Sequence, residues 1–169
     1  MTGGEPRRPA GYGAPVGASD TGELMASVLV DHPDVLGHLD DLHDAVWNAV
    51  DPVLLELCRL RIARLLGCGA EEEARTPAAS AVGLDEATIA DLPAWPSSSR
   101  FGPRERACLA VCEQLVIDVA GMSDEVALAA AEQLGPQTFR DFVTALLVLE
   151  QRQRLRLAWE RLDVVGTAG

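Results

Sequence analysis

The stretch Asp51-Pro52-Val53-Leu54-Leu55-Glu56-Leu57-Cys58-Arg59-Leu60-Arg61-Ile62-Ala63-Arg64-Leu65-Leu66-Gly67-Cys68 decides the fold class. It opens with an aspartate able to cap a helix. A proline follows at the first helical position, where a missing N–H costs nothing. Apolar residues then recur at Leu54, Leu57, Cys58, Ile62 and Leu65, the spacing of one buried helix face. Arg59 and Arg61 fall on the other face, and Gly67 ends the helix as a C-cap glycine.

The same punctuation recurs on both sides. Upstream, a helix is expected from about Thr21 to Val30. A second runs from Asp31 or Pro33 to about Val50, with Leu36, Leu39, Leu42, Val46 and Trp47 on one face. Downstream, a helix starts somewhere between Cys68 and Pro77 and ends at Gly83. Leu84-Asp85 starts a short one to about Leu92. Pro93 to Gly102 reads as an irregular loop anchored by Trp95 and Phe101. Pro103 opens a helix to about Ala120, Ser123-Asp124-Glu125 caps another to Leu134, and Gly135-Pro136 precedes a long last helix to about Leu162. No strand-like alternation and no repeat is visible. The expectation is an all-α helical bundle of about seven or eight helices joined by mostly short loops. Residues 21–165 form its single domain, behind a Gly/Pro-rich, disordered leader over residues 1–20.

Composition bounds what such a bundle does. The chain has 169 residues, 48% of them hydrophobic, enough for a core without metals or disulfides. Its net charge is −12, and all 14 basic residues are arginines. Nucleic acid and anionic membranes want a basic footprint, so neither is an expected partner, and lysine Schiff-base chemistry is excluded. No apolar run reaches the ~18–20 residues that span a bilayer. The four cysteines, Cys58, Cys68, Cys108 and Cys112, sit inside apolar helical patterns and are expected reduced, in a cytoplasmic protein. His32, His38 and His43 share no helix face well, so no metal is expected.

Leu54 to Ile62, then Leu66-Gly67-Cys68, then Gly83-Leu84-Asp85-Glu86 resemble the carboxymuconolactone decarboxylase and alkylhydroperoxidase-like family. Glu105-Arg106-Ala107-Cys108-Leu109-Ala110, Glu113-Gln114-Leu115 and Gln153-Arg154-Leu155 extend the likeness over roughly residues 30 to 160. The resemblance implies an alkylhydroperoxidase-like bundle assembled as a homotrimer or hexamer, or else a dimer. Redox members place a glutamate ahead of a C-x-x-C-x-x-x-H motif at a helix start. There the dipole favours a thiolate, and a second cysteine resolves the oxidised sulfur. Glu56 and Cys68 match that pattern here. Glu71 stands where the second cysteine would be, and Arg75 where the histidine would be.

Each of these residues also has a plain reading. Cys68 fits a small buried hydrophobe, and Glu71, Glu72 and Glu73 fit a favourable first turn of a helix that would raise its pKa. Glu56, inside an apolar stripe, needs a partner that Arg59 or Arg75 can supply, and Glu113 is ambiguous in the same way. Arg152, Arg154 and Arg156 read as solvated or subunit-bridging. The functional expectation is a cofactor-free acid–base enzyme of lyase, isomerase or cyclase type, acting on a small organic acid or lactone-like metabolite. Glu56 would move a proton, Arg75 would hold a carboxylate, and Cys68 would line the pocket, with Glu71, Trp95 and Glu113 as further substrate contacts. A one-cysteine thiol peroxidase through Cys68 and a non-catalytic oligomeric scaffold are the alternatives.

Overall fold

The computed structural model describes residues 18–166, which form nine α-helices and two short 3-10 turns; among the described residues there is no strand. The leader expected over residues 1–20 lies outside the described residues up to position 17, and Ala18 already begins α1 (Ala18–Val28). α2 (Pro33–Ala49), α3 (Pro52–Leu66), α7 (Pro103–Asp118), α8 (Asp124–Leu134) and α9 (Pro136–Gly166) are the long elements.

α3 is the centre of the bundle. Asp51 caps it by accepting the Leu54 N–H at 2.9 Å. Gly67 ends it at φ 70°, a left-handed conformation open to glycine at no steric cost. Every residue from Leu54 to Leu60 is buried, because α3 packs at once against α7, α9, α4 (Gly69–Glu73) and α5 (Pro77–Ala81). A helix covered on all sides needs apolar residues all round. Where a charged residue falls in that run, it is buried as well. Arg59, assigned from the sequence to the outer face, is 4% exposed. α7 contributes Cys108, Leu109, Val111, Cys112 and Leu115 to the same core, and α9 contributes Phe142, Ala145, Leu146 and Leu149.

The helix expected between Cys68 and Gly83 is two helices, α4 (Gly69–Glu73) and α5 (Pro77–Ala81), followed by α6 (Glu86–Asp91). Proline explains the break: it disfavours helical geometry in the residue before it and lacks a donor. Ala74 and Thr76 are accordingly extended, at ψ 147° and 128°. The break leaves backbone groups of residues 71–76 without helical partners, and these face α3. Pro93 lies in a 3-10 turn (Leu92–Ala94) where a loop was expected; Phe101 is an anchor at 1% exposure.

Alanine at position 67 would carry a Cβ into the left-handed region. Gly67→Ala is therefore expected to lower unfolding free energy by about 1–2 kcal/mol, read as a reduced urea midpoint with an unchanged slope.

Candidate functional site

Two of the motif positions, Glu56 and Glu71, meet around one guanidinium, that of Arg59. Arg59 Nε and Nη2 donate to the two oxygens of Glu56 at 2.8 and 2.9 Å, the bidentate pairing that guanidinium geometry favours. Nη1 donates to Glu71 Oε2 at 2.7 Å and to the Glu71 carbonyl at 2.6 Å, and Nη2 also donates to the Ala74 carbonyl at 2.7 Å. All five guanidinium hydrogens are thus used. Glu56 Oε1 accepts a further bond from the Thr76 N–H at 3.1 Å. Burial works against the Arg59 charge, but the hydrogen bonds and charges of Glu56 and Glu71 outweigh it and raise its pKa. Glu56 is 1% exposed and Glu71 8%; Glu71 lies in the first turn of α4, as expected, and is also a buried ion-pair partner.

The network continues to two distant elements. Thr21 Oγ1 on α1 donates to Glu71 Oε1 at 2.6 Å and accepts from Arg156 Nη1 at 2.5 Å. Arg156, read from the sequence as solvated or subunit-bridging, is 4% exposed and also donates to Glu160 at 2.8 Å. Gln153, one turn earlier on α9, donates to the Arg59 carbonyl at 3.0 Å.

Cys68 caps the N-terminus of α4 beside Glu71 and is 1% exposed. Burial pushes its pKa up. The Glu71 backbone N–H and Arg156 pull it down, while Glu71 and Glu160 push it up again, and the net shift is upward. A five-residue helix supplies too little dipole to reverse this. The other three thiols are packed as core residues, each 0% exposed. Burial holds the Cys58 pKa well above the usual thiol range and raises that of Cys108 to about 12. Cys112 Sγ lies 3.6 Å from the Cys58 carbonyl.

The remaining expected site residues stand elsewhere. Arg75 faces outward, its side chain 31% exposed, and pairs with the surface residue Glu86 at 2.8 Å while donating to the Glu72 carbonyl. It does not join Glu56, whose partner is Arg59. Trp95 and Glu113 do come together, in a second, half-buried cluster on α3 and α7. Glu113 Oε1 accepts from Trp95 Nε1 and from Arg61 Nε, both at 2.6 Å. Two cavities on the α2–α9 side touch neither Glu56, Cys68 nor Glu71. The more enclosed, about 10 Å³, has room for roughly one water and is lined by Met25, Leu39, Leu42, His43 and Arg152, among others. His43 Nε2 accepts from Trp47 Nε1 at 3.1 Å, which leaves the ring proton on Nδ1. Burial and the nearby Arg152 and Arg59 charges lower its pKa to about 3.

A profile of the Carboxymuconolactone decarboxylase family matches residues 33–114, from the start of α2 through most of α7. Residues 33–114 belong to that family. A similar solved structure is that of a protein of unknown function from Agrobacterium tumefaciens, suggested to be the antioxidant defence protein AhpD. The TM-score is 0.68 at 16% identity, over 79% of this chain and 92% of that one. The likeness is one of fold, an alkylhydroperoxidase-like helical bundle. Among curated proteins no sequence matches. The family match contains Glu56, Arg59, Cys68, Glu71, Arg75, Trp95 and Glu113; Thr21 and Arg156 lie outside it.

Two predictions follow from the charges. Arg59→Met leaves two buried carboxylates uncompensated and is expected to cost about 3–5 kcal/mol in urea unfolding at neutral pH. His43 stays neutral in the folded chain down to about pH 3 but protonates near 6.5 when unfolded. The unfolded state binds the extra proton in that window, so stability falls as pH drops through it. His43→Gln, which keeps an acceptor for Trp47, is expected to flatten that slope between those pH values.

Proposed function

We propose that this chain is an acid–base member of its family and not a thiol-redox one. It would act without a cofactor, as a lyase, isomerase or cyclase, on a small organic acid or lactone-like metabolite. The observation that carries the reading is the exchange at position 71. A carboxylate, drawn by Arg59 into the buried cluster, stands where redox members carry the resolving thiol. Cys68, left without a partner sulfur, holds its proton more tightly than an ordinary thiol.

Within this reading the roles divide by bonding. Glu56 is fixed on both oxygens by Arg59 and on one by Thr76, so it positions Arg59 and through it Glu71. Glu71 keeps one oxygen whose partner is the neutral hydroxyl of Thr21, the place a substrate hydroxyl or acidic C–H would take. Glu71 accepts that proton and returns it to a second substrate atom, and Arg156 neutralises the oxyanion formed between the two transfers. Arg75, paired with Glu86 at the surface, has no place in this scheme, and the Arg61–Glu113–Trp95 cluster borders a separate face. Assembly as a homotrimer or hexamer belongs to the proposal as well: α2 and α9 leave Val35, Leu42 and Leu147 exposed.

The complete satisfaction of Arg59 also suits the scaffold alternative, and a ligand screen separates the two. One of a panel of small organic acids and lactones is expected to raise the melting temperature and to be turned over. Glu71→Gln lowers that turnover by about a hundredfold or more, and Cys68→Ser leaves it within a few-fold. Peroxide consumption that depends on Cys68 would overturn the reading, as would a panel without any thermal shift.

A further inference from the structure

α1 lies across the corner where Cys68, Glu71 and Arg156 meet, packing on α4, α9 and α2. Among the described residues, its buried side chains are Thr21 and Met25. Thr21, 1% exposed, sits between Glu71 and Arg156, and Met25, one turn later and 1% exposed, closes the small cavity beside His43 and Leu39. Its other face, including Glu23, Ala26, Ser27 and Val28, is exposed. Gly22, next to the polar contact, makes α1 intrinsically weak as a helix.

The two charged partners of Thr21 do not depend on it for their positions. Glu71 is tied to α3 by Arg59, and Arg156 is tied to Glu160 within α9. Withdrawing α1 would therefore keep the tie of the acid to Arg59 and that of the guanidinium to Glu160, with water replacing the Thr21 hydroxyl. Among the described residues, the buried side chains that this exposes are Thr21 and Met25, not the core under α3. α1 joins α2 through the turn at Leu29–Asp31, where Pro33 restarts the helix, a natural hinge.

We propose that α1 is a gate, latched by the Thr21 hydroxyl, that opens to admit a small acid to the Glu71–Arg156 pair. What enters rests on the acid–base reading above; the opening itself does not. Segments with few buried apolar contacts open locally at well below the global unfolding free energy, which gives such a gate its energetic range.

The test is iodoacetamide labelling of the full-length folded protein, with each cysteine followed by peptide mass mapping. Thr21→Val keeps the shape and loses both latch bonds. It is expected to speed Cys68 labelling at least about tenfold, while Cys58, Cys108 and Cys112 stay protected. Thr21→Ser restores the hydroxyl and the slow rate. Met25→Gln, which weakens the apolar attachment and spares the latch, also speeds Cys68. A Cys68 rate unchanged in both Thr21→Val and Met25→Gln overturns the gate, as does labelling of all four cysteines in step. Labelling needs no turnover, so the two ideas fail separately. A gate that opens on an inert protein sinks the acid–base reading alone. Glu71-dependent turnover with a fixed α1 sinks the gate alone.

Discussion

A guanidinium buried at the middle of a helical bundle must have every N–H satisfied, or the fold pays several kcal/mol for the charge. Arg59 meets that demand with two carboxylates and two carbonyls, and much of the surrounding structure follows from it. Glu56 is tolerated in the most buried stretch of the chain because Arg59, three residues on, lies within reach on the same helix. The interruption between α4 and α5 is tolerated because Arg59 and Glu56 take up the Glu71 and Ala74 carbonyls and the Thr76 N–H that the broken helix leaves unpaired. Two carboxylates against one guanidinium leave a negative charge in excess, and Arg156, reached through Thr21, offsets it.

The thiols are read by the same electrostatics. A cysteine becomes a nucleophile through its thiolate, which needs positive potential or solvent. Cys68 stands at a helix start, but the helix has only five residues, and among the charged side chains around the thiol the Glu71 carboxylate acts on it most, raising its pKa. Replacing the second thiol by a carboxylate thus does more than remove a resolving group. It also disfavours the first thiolate. Both effects support the acid–base reading proposed above.

Caps and breaks were legible in the sequence, since Asp51-Pro52, Gly67, Ser123 and Gly135-Pro136 act through neighbouring residues. Family and fold were legible because the motif spacing survives its altered residues. The Glu56–Arg59 pair was legible as one of two alternatives, but the burial of Arg59 and its hold on Glu71 were not. Helical periodicity sends a charged residue to the open face, and nothing local says that α3 has no open face. One signal was available: a glutamate and an arginine three apart in an otherwise apolar run occupy one side of the helix, so burying Glu56 buries Arg59 too. Arg156 was hidden in a similar way. The buried positions Phe142, Ala145, Leu146, Leu149 and Gln153 continue at helical spacing onto it. Its contact with Thr21 spans 135 positions, a separation that no local pattern encodes.

Saturation of Arg59 and of both Glu56 oxygens raises a tension that bears on function. Groups that share every hydrogen bond among themselves stabilise a fold but have nothing left for a ligand. A catalytic reading therefore requires one member of the network to be exchangeable. Arg59 and Glu56 are held by several charged or backbone partners, so neither can leave without exposing a buried charge. Thr21 differs from both. It is neutral, it lies on a helix at the edge of the bundle, and its hydroxyl makes the same two bonds that a water molecule or a substrate hydroxyl would make. If the centre is more than structural, exchange begins at Thr21, because its departure leaves every formal charge of the network with a partner.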